Sequence, residues 1–172
     1  FNFIQKGVNI LTQSLWPEMS VMLGSNQLAK AKRVLRNTTL LCGAGATFGS
    51  VLLLLFGASF YSWWTEQSLD WSFNLALGLA GVAILKSLWV FQGITIISVN
   101  RHGRWSVQFM TTYGVMLFVF MTLTRHYGLT GLVCTMICAE FLLYCLSFNG
   151  QKKLFIDLEK EILVENTEMA GV

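Results

Sequence analysis

The chain has 172 residues, of which 54% are hydrophobic and 12% charged, with a mean hydropathy of +0.57. Soluble domains carry about 25% charged residues, so half that share, together with long uncharged runs, makes a lipid bilayer the expected solvent. The net charge of +3 is small and its cations fall between the apolar runs, a distribution unlike the basic patch of a nucleic-acid-binding protein.

Residues 1–16, FNFIQKGVNILTQSLW, are too short to cross a membrane alone at about 1.5 Å of helix per residue. Asn2, Gln5, Lys6, Asn9, Thr12 and Gln13 recur at three- and four-residue spacing and share one helical face. Phe3, Ile4, Val8, Ile10, Leu11 and Leu15 occupy the rest. A helix lying on a membrane surface usually carries more than one charge on its polar face. The pattern is therefore read as the inner end of a transmembrane helix lining a wet cavity, with the surface helix as the alternative. Pro17 is expected to end it. The stretch 17–37 then reads as a loop bearing Lys30, Lys32, Arg33 and Arg36.

Four apolar runs follow, and 38–61, 71–98, 106–124 and 129–148 are predicted transmembrane helices. The first holds Gly45 and Gly49, a small-xxx-small pair suited to close helix packing. The second is longer than a bilayer requires and carries Lys86 near its middle. Gly128 and Gly131 bracket the turn into the fourth, whose centre holds Glu140. The tail, 149–172, is polar. Its Leu154, Phe155, Leu158 and Ile162 form an apolar helical stripe expected to rest on the membrane or on the bundle.

Loop 20–37 has four Lys and Arg, the tail three and loop 99–105 two, whereas the two alternate loops share only Arg125. Cationic loops stay on the cytoplasmic side. Loops 17–37 and 99–105 and the C-terminus are therefore expected to be cytoplasmic. Tyr61, Trp63, Trp64 and Trp71 would form the outer aromatic belt, with Trp16 and Trp105 at the inner one.

No catalytic constellation appears, so an enzyme is not expected. His102 and His126 fall in loops on opposite sides. Cys134, Cys138 and Cys145 share a helical stripe that no His or carboxylate joins, which reads as packing rather than a metal site; neither metal nor cofactor is expected. The chemistry left is in the intramembrane ionisable residues Lys6, Lys86 and Glu140. Such groups are costly in a bilayer unless they pair or face water. Lys86 either lines a cavity or pairs with Glu140, whose own expected role is pairing or packing.

The run Ser14-Leu15-Trp16-Pro17-Glu18-Met19-Ser20, with Gly24 and the basic segment Lys30 to Arg36, resembles the loop between the eighth and ninth helices of polysaccharide exporters. These are the O-antigen and lipid-linked oligosaccharide flippases of the multidrug/oligosaccharidyl-lipid/polysaccharide exporter superfamily. Phe60-Tyr61-Ser62-Trp63-Trp64 resembles the aromatic end of the family's ninth helix. Asn100 to Gly103 resembles its asparagine-glycine loop, and Gly128-Leu129-Thr130-Gly131-Leu132 the hairpin into its last helix. The family often has an acidic residue after the loop glycine, where this chain has Ser25 and Asn26.

The resemblance implies an all-α integral membrane protein. The chain would be the end of one helix and four full spans, part of the C-terminal lobe of a two-lobe transporter with twelve or fourteen helices. The missing N-terminal lobe would be its first partner. It further implies a bacterial inner-membrane flippase that moves undecaprenyl-pyrophosphate-linked oligosaccharide outward by alternating access. Membrane lipids would surround it, and a polysaccharide polymerase and glycosyltransferases would work beside it. Lys6 and Lys86 would attract the pyrophosphate. Asn2, Gln5, Asn9, Thr12 and Gln13 would offer hydrogen bonds to glycan, and Glu140 is the intramembrane carboxylate available for ion coupling. Two alternatives stand beside this reading: a drug or cation antiporter of the same superfamily, and a membrane scaffold subunit that transports nothing.

Overall fold

A computed structural model describes residues 2–66, 70–100 and 103–170. Among these the regular structure is helical throughout: α1 (Asn2–Gly24), α2 (Leu28–Trp64), α3 (Phe73–Ser98) and α4 (Gly103–Ala170). Three stretches, Leu28–Trp64, Phe73–Ser98 and Trp105–Val164, are long and apolar enough to cross a membrane.

Helix α1 does not stop at Pro17, contrary to the sequence expectation; the proline lies inside the helix. A proline removes one backbone hydrogen bond, but the apolar face continues unbroken past it. Leu15, Met19, Met22 and Leu23 are all buried at helical spacing, and this packing outweighs the lost bond. The helix ends instead in a Schellman turn. Asn26 adopts a left-handed φ of 58°. Its amide donates to the Leu23 carbonyl at 3.3 Å, and the Gln27 amide donates to the Met22 carbonyl at 2.9 Å. The stretch read as a loop over 17–37 thus contains a three-residue connection, Ser25 to Gln27, and its four cations ride on the opening turns of α2.

Helix α4 is broken at Gly128, whose φ of 57° and ψ of −139° suit glycine alone. The break gives a first arm, 103–127, and a second arm, 129–170. Gly131 lies against the backbone of the first arm, so that a Cβ there would fall 2.5 Å from the Leu123 carbonyl oxygen. Further along, Tyr113 bonds to Glu140 and Trp105 to Ser147. These contacts keep a nearly constant sum of residue numbers, the register of an antiparallel hairpin.

Helix α3 packs against each of the other three. It is strongly apolar with no single polar face, as suits a central helix, and Lys86 is its one charged residue. On α2 the buried small residues include Gly43, Ala46, Ser50 and Gly57. Gly43 faces Leu88 of α3, and Gly49 faces Ile4 of α1. The expected Gly45–Gly49 pair does not act as a unit, because nothing approaches Gly45.

One apolar cluster closes the end where α1 turns into α2. Met19, Met22 and Leu23 meet Leu28, Ala31 and Leu35 of α2, Phe91 of α3 and Phe155 of α4, with Leu158 and Ile162 packed against them. The tail stripe therefore rests on the bundle, and the tail is helical rather than loose. Lys32 reinforces the junction by pairing with Glu159 and lying 5.1 Å from the Phe155 ring centroid.

Gly131→Ala is expected to destabilise the protein by about 1–3 kcal/mol through overpacking against backbone. Gly45→Ala, which meets nothing, is expected to leave stability unchanged or slightly raised. Unfolding in mixed detergent micelles measures both.

Candidate functional site

Helix α1 buries Val8, Leu15 and Met19 against the bundle. That leaves Lys6, Asn9 and Gln13 exposed, one turn above another, with Gln5 and Thr12 half-buried at the edge. The side chain of Asn2 lies outside the described residues. The predicted polar face therefore exists as an outward-facing stripe. It is not uniformly polar at its margin, since Ile10 and Leu11 are also exposed.

Lys86 of α3 reaches this stripe. Its ammonium donates to the Gln5 carbonyl oxygen at 3.4 Å, and the side chain is half-buried. Two residues 81 positions apart thus join α1 to α3 through one polar contact. Lys86 makes its hydrogen bond to Gln5 rather than a direct ion pair with Glu140, whose carboxylate is bonded by Trp89 and Tyr113.

Glu140 sits apart from the stripe in an aromatic enclosure and is 5% exposed. The Trp89 indole N–H donates to Oε2, and the Tyr113 hydroxyl donates to Oε1 at 3.3 Å. Trp105, Phe109 and Tyr113 follow one another along one face of the first arm of α4, with ring centroids 5.3 Å and 4.7 Å apart. Trp89 packs on Phe109 at 5.8 Å. Buried carboxylates need hydrogen-bond donors, and this one takes them from two aromatic side chains on two helices. Sequence reading placed Glu140 mid-span but missed its partners. The four-residue spacing of Trp105, Phe109 and Tyr113 was the available signal; nothing in the sequence tied it to Glu140.

The remaining expected sites are dispersed. Among the described residues no three His, Cys, Asp or Glu side chains come together as a metal site would require. Cys134 and Cys138 are exposed and Cys145 is half-buried. His102 lies outside the described residues. Inside the bundle Ser50, Gln92 and Thr95 bury side-chain oxygens that have no protein hydrogen-bond partner.

Chemically, the arrangement offers a cationic, hydrogen-bonding surface along α1 and Lys86, and a separate buried carboxylate. The first can attract anions and hydroxyl-rich ligands; the second is built into packing. Comparison with family models, curated proteins and solved structures finds no match for this chain.

Trp89→Phe removes the donor to Oε2 and is expected to cost about 1–3 kcal/mol, the penalty for an unsatisfied buried acceptor. Trp105→Phe removes only a 3.3 Å bond to the Ser147 hydroxyl and is expected to cost less. Chemical or thermal unfolding of the two variants measures the difference.

Proposed function

We propose that this chain is part of a transporter that flips an anionic lipid-linked oligosaccharide across the bacterial inner membrane for surface polysaccharide synthesis. The observation that carries this reading is the polar stripe Lys6–Asn9–Gln13, outward-facing on a bundle with spanning helices and joined by Lys86 across the Gln5 contact. A lysine facing hydrocarbon is costly, so this face is read as turned toward water in a cavity completed by a second lobe. Two cations there suit a pyrophosphate head. The amides suit a glycan, which is held by many weak hydrogen bonds. A cation antiporter would want carboxylates on this surface, but the stripe Lys6–Asn9–Gln13 carries none, and the mid-span Glu140 is held by Trp89 and Tyr113.

In this reading the two arms of α4 are separate spans, which makes four with α2 and α3. The α1–α2 connection and the tail share one end of the bundle through the Lys32–Glu159 pair. That shared end agrees with the cation-rich segments lying together on the cytoplasmic side. The Gly128 turn and the α2–α3 connection would then face the periplasm.

Disruption of the gene is expected to abolish surface polysaccharide. Lys86→Arg is expected to restore it and Lys86→Ala to leave it strongly reduced, as read by gel analysis of the cell-surface glycan. A scaffold role predicts full restoration by both Lys86→Ala and Lys6→Ala.

A further inference from the structure

Three hollows follow one another along the α4 hairpin, and neighbouring ones share lining residues; together they make a furrow. Its wide end is a cavity of about 400 Å³ bounded by Trp105 and Gln108 of the first arm and Asn149, Lys153 and Asp157 of the second. Ile96 and Leu146 form its apolar floor. Gln108 and Leu146 are shared with a second hollow of about 340 Å³ whose walls are Val107, Val115, Met116 and Leu142. Met116 in turn lines a third, of about 190 Å³, with Leu117, Phe120 and Met136, and with Tyr113, Thr135 and the Glu140 carboxylate that Tyr113 hydrogen-bonds. The hollows thus change character along the hairpin, from a mouth with both charges to a mainly apolar trough whose inner end lies beside the hydrogen-bonded Glu140.

We propose that this furrow holds a phospholipid with an amine-bearing zwitterionic headgroup, of the phosphatidylethanolamine type, as a bound structural lipid. Three features select that occupant. First, the mouth carries one cation and one anion a helical turn apart, Lys153 and Asp157, and neither is in an ion pair among the described residues. A phosphate and a primary ammonium on one headgroup answer both. An anionic lipid would leave Asp157 facing negative charge, and a choline headgroup has no N–H to donate. Second, the neighbouring cation is turned elsewhere. Lys152 lies over the Phe148 ring at 4.5 Å, so Lys153 alone serves the cavity. Third, the dimensions fit. From Asn149 to Thr135 the second arm runs about 21 Å at about 1.5 Å per residue. One leaflet of hydrocarbon is about 15 Å deep, half of the usual core. The trough is therefore long enough to take an acyl chain from the interface to the midplane. Trp105 at the mouth, its indole N–H bonded to Ser147 at 3.3 Å, suits the level of the headgroups.

The inference rests on the chain being a membrane protein and not on what it transports. Its test is retention of lipid by the purified protein, washed in detergent with equal amounts of phosphatidylethanolamine, phosphatidylcholine and phosphatidylglycerol and read by native mass spectrometry. The wild type is expected to keep phosphatidylethanolamine over the other two. Lys153→Glu is expected to weaken that retention about tenfold, the size of one lost charge-assisted hydrogen bond. Asp157→Asn should bring phosphatidylethanolamine down to the phosphatidylcholine level. Lys152→Glu should change nothing, and circular dichroism should show all three variants equally helical. Equal retention of the three lipids, preference for phosphatidylglycerol, or an equal loss in Lys152→Glu would each overturn the proposal. Displacement of every lipid by a protein partner in the intact complex would overturn it too, since the furrow would then be a protein interface.

Discussion

The structure depends on the apolar knot where Met19, Ala31 and Phe91, each fully buried, bring three helices together at one end of the bundle. Phe155, with Leu158 and Ile162 packed beside it, folds the second arm of α4 onto the same knot. Between helices in a bilayer, close packing rather than exclusion of water supplies the cohesion, and this cluster packs distant parts of the chain together. It fixes the rotation of α1 about its own axis. With Leu15 and Met19 committed inward, Lys6, Asn9 and Gln13 can only point out. The knot also carries α1 through Pro17, because a helix that stopped there could not deliver Met22 and Leu23 to it.

A membrane adds a second constraint. Backbone groups in hydrocarbon must be satisfied within the helix, and the turns must fall at the ends. The positive-φ turn residues obey it, Glu66 in the α2–α3 connection among them. Asn26 and Asn100 take positive φ at one end, and Gly128 at the other. Between them, many polar side chains are held by protein partners or placed on the outer stripe, whereas Ser50, Gln92 and Thr95 bury oxygens that have no protein partner. Ser87, Thr111, Thr112 and Thr135 return their hydroxyls to carbonyls of their own helices. Glu140 is answered by Trp89 and Tyr113. Lys86 and Gln5 answer each other, which leaves Lys6, Asn9 and Gln13 for whatever lies outside.

Much of the fold was legible in the sequence because it is written in periodicity and in glycine. The apolar runs, the turn at Gly128 and the tail stripe Leu154–Phe155–Leu158–Ile162 all appear in the structure. What failed were readings made from single residues. Pro17 was taken as a stop because proline weakens helices locally, yet four buried side chains spanning it decide the matter. Spacing pairs Gly45 with Gly49, yet Gly49 meets Ile4 of α1 while Gly45 meets nothing, and it is Gly43 that lies against Leu88 of α3. The polar stripe was legible because it is periodic. The Glu140 enclosure was not, because its first donor is an indole 51 residues away and only the fold brings the two together.

The central claim is that the outward polar stripe of α1 faces water while its neighbours face lipid. A spin-label scan over residues 4–13 of the protein in bilayers tests it most directly, with a water-soluble nickel chelate and dissolved oxygen as the two relaxants. The account predicts nickel accessibility peaking at 6, 9 and 13 and low accessibility to both agents at 8. An oxygen maximum at 6, 9 and 13 would place the stripe in lipid and contradict the cavity.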